Sequence, residues 1–248
     1  MKNNFFFKDQ LSNIYKKSSK FSEVTSQILY GEKFKILSRN KDWIKIKTSF
    51  DNYIGYIKNR KYTNIHKPSH KVSSLKAIIF KKPNIKTKYF LPFASKISII
   101  QESKRFIEYD KNRWIKKKDI KKINHLEKDY SKILRLFLKT KYLWGGKTYK
   151  GIDCSAILQL FFYYNDRFYP RDTKDQIKHS KKDSIKKILK KGDVIFWKGH
   201  VAICINSKEL IHAYGPEKKV LIMPIIKTIN RIKKTANLSV RKISSIRY

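Results

Sequence analysis

Residues 151–164, Gly151-Ile152-Asp153-Cys154-Ser155 followed by AILQLFFYY, form the stretch of this chain that decides its fold. The apolar run from residue 155 is long enough for a buried helix, and glycines at 145, 146 and 151 predict an irregular loop before it. Cys154 therefore stands at or near a helix N-terminus, with Asp153 as a capping or first-turn carboxylate. Because unpaired N–H groups and the helix dipole favour negative charge there, we expect the pKa of the Cys154 thiol to be lowered.

Two histidines belong to a predicted β-hairpin farther along the chain. Residues 201–205 (VAICI) and 210–214 (LIHAY) are typical of short apolar strands, and the polar residues between them are typical of a turn. Folding the chain back about residues 206 and 207 brings His200 opposite His212 or Ala213. Since opposed residues of antiparallel strands have Cβ atoms about 5 Å apart, we expect the two imidazoles to touch.

One cysteine and two histidines supply the parts of a nucleophilic site. A thiol titrates near about 8.5, so it needs an imidazole, itself oriented by a further group, to act as a nucleophile at neutral pH. A cysteine before an apolar helix is more often an inert buried side chain, and this is our interpretation of Cys204 within its apolar strand. For Cys154 the loop, the helix start and the paired histidines together favour catalysis.

The histidine pair could also belong to a zinc site, but no third ligand follows at a convincing spacing. His179 lies in the lysine-rich segment KHSKKDS (residues 178–184), and we expect it to be solvated. The two cysteines of the chain give no disulfide framework. We therefore predict a site without a metal or another cofactor.

Four blocks of sequence resemble the NlpC/P60 family of papain-like cysteine peptidases. They are residues 142–159 (YLWGGKTYKGIDCSAILQ), 170–176 (PRDTKDQ), 192–203 (GDVIFWKGHVAI) and 210–213 (LIHA). The resemblance implies an α+β fold in which a helix carrying the nucleophile packs on an antiparallel sheet. It implies Cys154 as nucleophile, His200 as general base and later acid, and His212 as the group that orients His200. Ala156 departs from the family's usual glycine by one methyl group, and the sequence after about residue 224 has no counterpart that we can name.

The first half of the chain has a different hydrophobic pattern. Short segments such as 33–37 (KFKIL) and 43–47 (WIKIK) alternate polar and apolar residues, which is typical of small all-β barrels. Residues 27–37 (QILYGEKFKIL) and 52–58 (NYIGYIK) resemble bacterial SH3 domains, and residues 75–118 look like a more divergent second copy. We predict SH3-like domains at 1–66 and 70–123, and a catalytic domain at 125–248 whose first helix covers 125–140.

That order of domains is similar to the γ-D-glutamyl–diamino acid endopeptidases, also called dipeptidyl-peptidase VI. The resemblance implies hydrolysis of murein peptides that carry a free N-terminal L-alanine, through a thioester and with either meso-diaminopimelate or lysine as the diamino acid. A buried ammonium group needs carboxylate partners. By resemblance Asp172 supplies one, Arg171 could orient it, and Glu23 and Tyr53 of the first SH3-like domain supply the other amine contacts.

The remaining predicted substrate contacts surround the nucleophile. We expect Tyr142 and Trp144 to line the substrate groove, and Asp153 to lie beside them. Ser155 either binds the substrate backbone or is simply a residue of the first helical turn. Two alternatives to the peptidase stay open, which are a non-catalytic SH3-type wall-binding protein and an acyltransferase or amidase using the same Cys-His-His site.

The charge of the chain, +40 with 59 Lys and Arg against 19 Asp and Glu, suggests nucleic acid at first sight. Only 10 of these cations are arginines, the residue that bidentate phosphate and base recognition prefers, and the lysines are spread over the whole length. We therefore expect no specific nucleic-acid partner. The sequence has no apolar run of about 20 residues for a membrane span and only three consecutive apolar residues near its start, so we expect a cytoplasmic location, with the periplasm or export as the alternative.

Overall fold

The computed structural model describes residues 4–181 and 188–246. The chain divides into two units, residues 1–126 and 127–248. Parts of three predicted features lie outside the described residues. They are residues 1–3 at the start of the chain, residues 182–184 of the lysine-rich segment, and residues 247–248 at the end of the predicted catalytic domain. Within the described residues, no helix is both long and apolar enough to cross a membrane.

Seven strands at the start of the first unit form one sheet, in the order β3-β2-β6-β5-β4-β1-β7. They are β1 (Asn4–Phe7), β2 (Leu11–Tyr15), β3 (Val24–Leu29), β4 (Lys33–Asn40), β5 (Trp43–Thr48), β6 (Ile54–Lys58) and β7 (Tyr62–Thr63). In β5 every second residue is buried, beginning with Ile44, as the alternation of its sequence predicts. These side chains enclose a core with Phe7, Ile28 and Phe34.

The rest of the first unit contains a five-stranded sheet, in the order β10-β9-β14-β13-β12, and a three-stranded sheet, in the order β11-β8-β15. The strands are β8 (His70–Val72), β9 (Lys76–Lys82), β10 (Ile85–Pro92), β11 (Lys96–Ile97), β12 (Gln101–Glu102), β13 (Phe106–Asp110), β14 (Arg113–Lys116) and β15 (Ile120–Lys122), with a 3₁₀ turn at Lys117–Asp119. The second SH3-like domain, and the boundaries of both, stay predictions.

A buried tyrosine ties these strands to the first sheet. Tyr30, which follows β3, packs its ring edge-on against Tyr109 of β13 with the ring centroids 5.3 Å apart, and its carbonyl accepts a hydrogen bond from the N–H of Lys96. Gly31, next in the chain, has φ +76°, and a Cβ there would lie 1.8 Å from the Lys96 carbonyl oxygen. Only glycine fits this turn, because both the backbone conformation and the space exclude a side chain.

In its described residues, 127–181 and 188–246, the second unit packs four helices with an antiparallel sheet. The helices are α1 (Tyr130–Leu136), α2 (Cys154–Tyr164), α3 (Thr173–His179) and α4 (Ile225–Ala236), with a 3₁₀ turn at Gly215–Glu217. The strands are β16 (Lys147–Thr148), β17 (Gly151–Ile152), β18 (Asp193–Trp197), β19 (His200–Cys204), β20 (Glu209–Tyr214), β21 (Lys219–Pro224) and β22 (Lys242–Ser245). The main sheet has the order β21-β20-β19-β18-β22, and β16 pairs with β17. The predicted α+β class is confirmed.

Helix α2 is the predicted apolar helix, and all eleven of its residues are buried. Helix α1 is shorter than the predicted 125–140, because Asp129 caps its start by accepting from the N–H of Ser131 and the helix ends at Leu136, with Phe137 as its C-cap. The C-terminal tail, for which the sequence alone suggested no counterpart, completes the second unit. Strand β22 pairs with β18, and α4 contributes Ile225 and Ile232 to the core around the sheet.

The packing of α4 predicts a measurable difference between two isoleucines of that helix. Ile232 is 3% exposed and Ile226 is 68% exposed. We expect Ile232→Ala to lower the free energy of unfolding by about 2–5 kcal/mol, since it empties a core position. The matched change Ile226→Ala should stay within about 0.5 kcal/mol. Urea titration followed by circular dichroism measures both, and equal effects would contradict the packing of this helix on the core.

Candidate functional site

A buried carboxylate organises the start of α2. Asp153 is the N-cap, and its Oδ1 accepts from the N–H of Ala156 at 2.8 Å. The guanidinium of Arg171 pairs with both carboxylate oxygens, at 2.9 Å and 2.7 Å. Both side chains are buried, and the N–H of Gly145 donates to Asp153 Oδ2 at 2.9 Å. One carboxylate thus joins the helix start, the glycine loop and the segment that carries Arg171.

The Ser155 hydroxyl belongs to the same network. It donates to Asp153 Oδ1 at 3.0 Å and accepts from Arg171 Nη1 at 2.9 Å. These bonds give Ser155 a structural role in the first turn of the helix. Its contact with the substrate backbone stays a prediction.

The Cys154 sulfur lies against the residues that flank His200. The thiol is 3.8 Å from the Gly199 carbonyl oxygen, to which it donates, and it has hydrogen bonds with the backbone of Val201 and the hydroxyl of Thr173. Antiparallel strand β19 begins at His200, so α2 and β19 bring the predicted nucleophile and the predicted base to one place.

Burial changes the acidity expected for this thiol. It raises the pKa of Cys154 to about 12, with a smaller contribution in the same direction from the Asp153 carboxylate. The hydrogen bonds from Val201 and Thr173 and the charge of Arg171 oppose this rise. The predicted lowering of the thiol pKa is therefore wrong for the free protein, because loss of water around the sulfur outweighs the favourable helix N-terminus.

The two histidines meet as predicted, but by a different register. Ile203 faces Ile211 and Cys204 faces Leu210. Extended along the two strands, this register sets His212 two residues away from the position opposite His200. Direct opposition of the histidines is therefore wrong, and they meet along the diagonal that long or aromatic side chains can bridge. Nε2 of His200 and Nδ1 of His212 are 2.9 Å apart.

Both imidazoles are neutral in this environment. Burial lowers the pKa of His200 to about 4. Burial, followed by the charges of His200 and Arg231, lowers the pKa of His212 well below its ordinary value. Since Nε2 of His200 faces His212, Nδ1 is the nitrogen left to exchange a proton with the thiol. At neutral pH the site holds a neutral thiol beside neutral imidazoles.

Two neighbours of the predicted site residues were not predicted. Thr173 gives its hydroxyl to the Cys154 sulfur, and Met223 places its Sδ 3.4 Å from Nε2 of His212. Thr173 follows Asp172 within the quoted block 170–176, but only the structure shows that its hydroxyl faces the sulfur. Met223 lies on β21, for which the sequence analysis predicted no strand.

The residues predicted to bind substrate differ in how closely they approach Cys154 and Asp153. Tyr142 is close enough for Cys154 and Asp153 to add to the rise in its pKa that burial causes. Burial likewise raises the pKa of Asp172, against the lowering effect of Arg171. Arg171 therefore acts on both carboxylates. Trp144 is 58% exposed, and its contact with substrate stays a prediction.

Glu23 and Tyr53 lie in the first unit. Lys16 Nζ is 3.4 Å from Glu23 Oε2, and the Tyr53 hydroxyl donates to the Thr25 carbonyl at 3.5 Å. Both residues thus belong to the neighbourhood of β3, and their role in amine binding stays a prediction.

The remaining polar candidates have ordinary surroundings. His179 is exposed, as predicted, and touches the rings of Phe168 and Tyr169. Cys204 is a fully buried strand residue, as predicted. Across residues 4–181 and 188–246, no three His, Cys, Asp or Glu side chains are grouped closely enough to hold a metal ion.

Comparison with known proteins agrees with the predicted family and fold. Residues 139–236 match the NlpC/P60 family, and residues 14–61 match the bacterial dipeptidyl-peptidase Sh3 domain. Dipeptidyl-peptidase 6 of Lysinibacillus sphaericus is 24% identical over 230 residues, which cover 82% of this chain and 84% of the relative. Gamma-D-glutamyl-L-lysine dipeptidyl-peptidase of Bacillus subtilis is also 24% identical over 230 residues, which cover 83% of this chain and 77% of that protein.

Solved structures share the architecture. An NlpC/P60 family protein from Bacillus cereus superposes with a TM-score of 0.77 at 18% identity, covering 90% of this chain and 94% of that one. An NlpC/P60 endopeptidase from Photobacterium damselae has a TM-score of 0.63 at 13% identity, covering 97% of this chain and 70% of the other. At these identities the likeness is one of fold.

The neutral thiol predicts how alkylation of Cys154 depends on pH. Because the thiolate is the reactive form, the rate of iodoacetamide modification should rise about tenfold per pH unit between pH 7 and pH 9. Mass spectrometry of the peptide containing Cys154 follows the reaction, and the Cys154→Ser variant reports the background from Cys204. A rate independent of pH across this range would reveal a thiolate already formed in the free protein.

The buried ion pair predicts a large effect of removing its cation. Arg171→Met leaves the Asp153 carboxylate buried without its partner, so we expect the free energy of unfolding to fall by about 3–5 kcal/mol. Urea denaturation measures this change. The control Lys174→Met removes an exposed cation three residues away and should cost less than about 0.5 kcal/mol. An equally small effect at Arg171 would contradict the structural role of the pair.

Proposed function

Since the chain joins an NlpC/P60 cysteine peptidase domain to a bacterial SH3 domain, we propose that it hydrolyses the γ-D-glutamyl–diamino acid bond of murein stem peptides. The substrate in this proposal carries a free N-terminal L-alanine. The choice of this bond is supported by two relatives that align with most of the chain. They are named dipeptidyl-peptidase 6 and gamma-D-glutamyl-L-lysine dipeptidyl-peptidase. The products are the dipeptide L-Ala-γ-D-Glu and a peptide or amino acid beginning with the diamino acid.

One observation carries the chemical part of the proposal. Nε2 of His200 is held 2.9 Å from Nδ1 of His212, while the Cys154 sulfur contacts the residues on both sides of His200. The proposed nucleophile, the proposed base and the group proposed to orient that base therefore lie together. This is the arrangement that activates a thiol for acyl transfer.

The reaction begins with attack of the Cys154 sulfur on the γ-carbonyl of D-glutamate. As the S–C bond forms, the thiol proton passes to Nδ1 of His200. The C–N bond then breaks, and the same proton goes to the departing amine of the diamino acid. A water molecule, deprotonated by His200, attacks the thioester and restores the thiol, with the dipeptide released as a carboxylate.

Donors near the sulfur stabilise the oxyanion that forms on the carbonyl oxygen. The first N–H groups of α2, including that of Cys154, have no acceptor one helical turn earlier. The Tyr142 hydroxyl stays protonated because burial raises its pKa, and the neighbouring Cys154 and Asp153 act in the same direction. It can therefore donate to the substrate within the groove. Both kinds of donor are neutral and need no rearrangement as charge develops.

Asp172 is the proposed partner of the substrate amine in this unit. Burial raises the pKa of its carboxyl group above the ordinary value, although Arg171 and Lys174 oppose this. An ammonium ion beside it favours the ionised form, so substrate binding and ionisation of Asp172 reinforce each other. Glu23 and Tyr53 of the first unit stay predicted amine contacts, and the acetylated peptides below test whether the amine is recognised at all.

Two pairs of peptides test both the chemistry and the specificity. The protein is incubated with L-Ala-γ-D-Glu-meso-diaminopimelate, with the lysine counterpart, and with the N-acetylated form of each, and mass spectrometry identifies the products. We expect cleavage of the free-amine peptides alone, with at least about a hundredfold loss of kcat/KM in Cys154→Ala. The matched change Cys204→Ala should leave kcat within a factor of about three, since that thiol lies in the core.

Other outcomes distinguish the alternatives. Cleavage of free and acetylated peptides at equal rates would show that the enzyme does not recognise the N-terminal amine. Transfer of the dipeptide to an added amine in preference to water would identify an acyltransferase. Binding to murein without any cleavage would identify a wall-binding protein, and cleavage that survives Cys154→Ala would overturn the proposed nucleophile.

A further inference from the structure

The sulfur of Met223 is the immediate neighbour of His212 on the side away from His200. Met223 faces Leu210 across the sheet, and His212 faces Leu221, so Met223 lies diagonal to the imidazole. Its Sδ is 3.4 Å from Nε2, while Nδ1 of the same ring faces His200. Both His212 and Met223 are buried. Each nitrogen of His212 therefore has one identified neighbour within hydrogen-bonding distance.

The proposed reaction fixes where the imidazole protons must be. Nδ1 of His200 has to accept the thiol proton, so the neutral His200 ring carries its hydrogen on Nε2. That hydrogen is directed at Nδ1 of His212, which must then be an acceptor. The hydrogen of neutral His212 is consequently on Nε2 and points to the sulfur of Met223.

We propose that Met223 is a positioning residue, whose thioether fixes the tautomer of His212 and, through it, the tautomer of His200. This inference rests on the proposed function. A thioether sulfur accepts weak hydrogen bonds and never donates one. It therefore favours the tautomer of His212 with hydrogen on Nε2 and cannot support a ring turned so that an unprotonated nitrogen faces it.

The absence of charge on the thioether matters as much as its lone pairs. A carboxylate in its place would stabilise a protonated His212, which could then no longer accept from His200. Two charged or titratable neighbours of the ring favour neutrality, since His200 on β19 and Arg231 on α4 both lower the pKa of His212. The carboxylate of Glu217 is paired with Arg231 at 2.8 Å, and the ring of Tyr214 stacks on His212 with the centroids 4.6 Å apart.

The test measures the tautomer directly in the free protein. Nitrogen-15 NMR of histidine-labelled protein at pH 7 distinguishes protonated from unprotonated ring nitrogens. We expect hydrogen on Nε2 of both His200 and His212. Hydrogen on Nδ1 of His212 in the unmodified protein would overturn the proposal without any variant. Met223 and Met1 are the two methionines of the chain, so a carbon-13 methyl label also provides one internal resonance close to the site.

Two variants extend the test to catalysis. Met223→Leu keeps the volume but removes the acceptor, so we expect the second tautomer of His212 to become populated and kcat to fall roughly two- to tenfold with KM unchanged. The control Ile222→Leu changes a half-buried side chain on the same strand that pairs with Ile211 and not with His212, and it should leave both the tautomer and kcat unchanged. A fall in kcat with the original tautomer retained would assign Met223 to packing alone and overturn the proposal.

The two proposals fail in different ways. The tautomers are measured without substrate, so an absence of peptide cleavage with both Nε2 atoms protonated would defeat the proposed function and leave the role of Met223 in place. Cleavage of the peptide by a protein whose His212 carries its hydrogen on Nδ1 would support the proposed function and overturn the role of Met223. If Met223→Leu does not fold, the nitrogen-15 spectrum of the unmodified protein still shows which nitrogen of His212 carries the hydrogen, and this tests the proposal.

Discussion

The buried carboxylate of Asp153 is the constraint on which the rest of the site depends. A helix N-terminus leaves its first N–H groups without acceptors, and here Asp153 accepts from one of them and from the glycine loop. Such a charge is costly inside a protein without a cation, and Arg171 supplies it in bidentate geometry. Because Asp172 and Thr173 follow Arg171 directly, the same pair fixes the segment that carries the proposed amine partner and the hydroxyl that donates to the sulfur.

Burial then determines the resting chemistry. The same exclusion of water that keeps the ion pair strong raises the pKa of the thiol and lowers the pKa of His200. In the resting site the thiol and both imidazoles are therefore neutral. A proton moves from Cys154 to His200 only when a carbonyl carbon is in position to bond with the sulfur. Neutral surroundings for His212, including the thioether of Met223, fit this scheme, because His212 has to accept a hydrogen bond at every stage.

The sequence predicts the elements of this site better than their exact alignment. The helix from residue 155, the capping carboxylate and the histidine hairpin follow from apolar runs, glycines and polar turns, which act over a few residues. The register that pairs Ile203 with Ile211, and therefore the diagonal approach of His200 to His212, depends on side chains packed from α2 and α4. The acidity of Cys154 also depends on distant segments that exclude water. Thr173 and Met223 lack a local signal for the same reason.

Capture of the acyl group tests the central claim, that the Cys154 sulfur carries the substrate through a thioester. Hydroxylamine added during cleavage of L-Ala-γ-D-Glu-meso-diaminopimelate competes with water for that intermediate. The account predicts that the γ-hydroxamate of the dipeptide forms in proportion to hydroxylamine, and that Cys154→Ala forms neither product. Release of the free acid alone at every hydroxylamine concentration, or hydroxamate formation by Cys154→Ala, would contradict it.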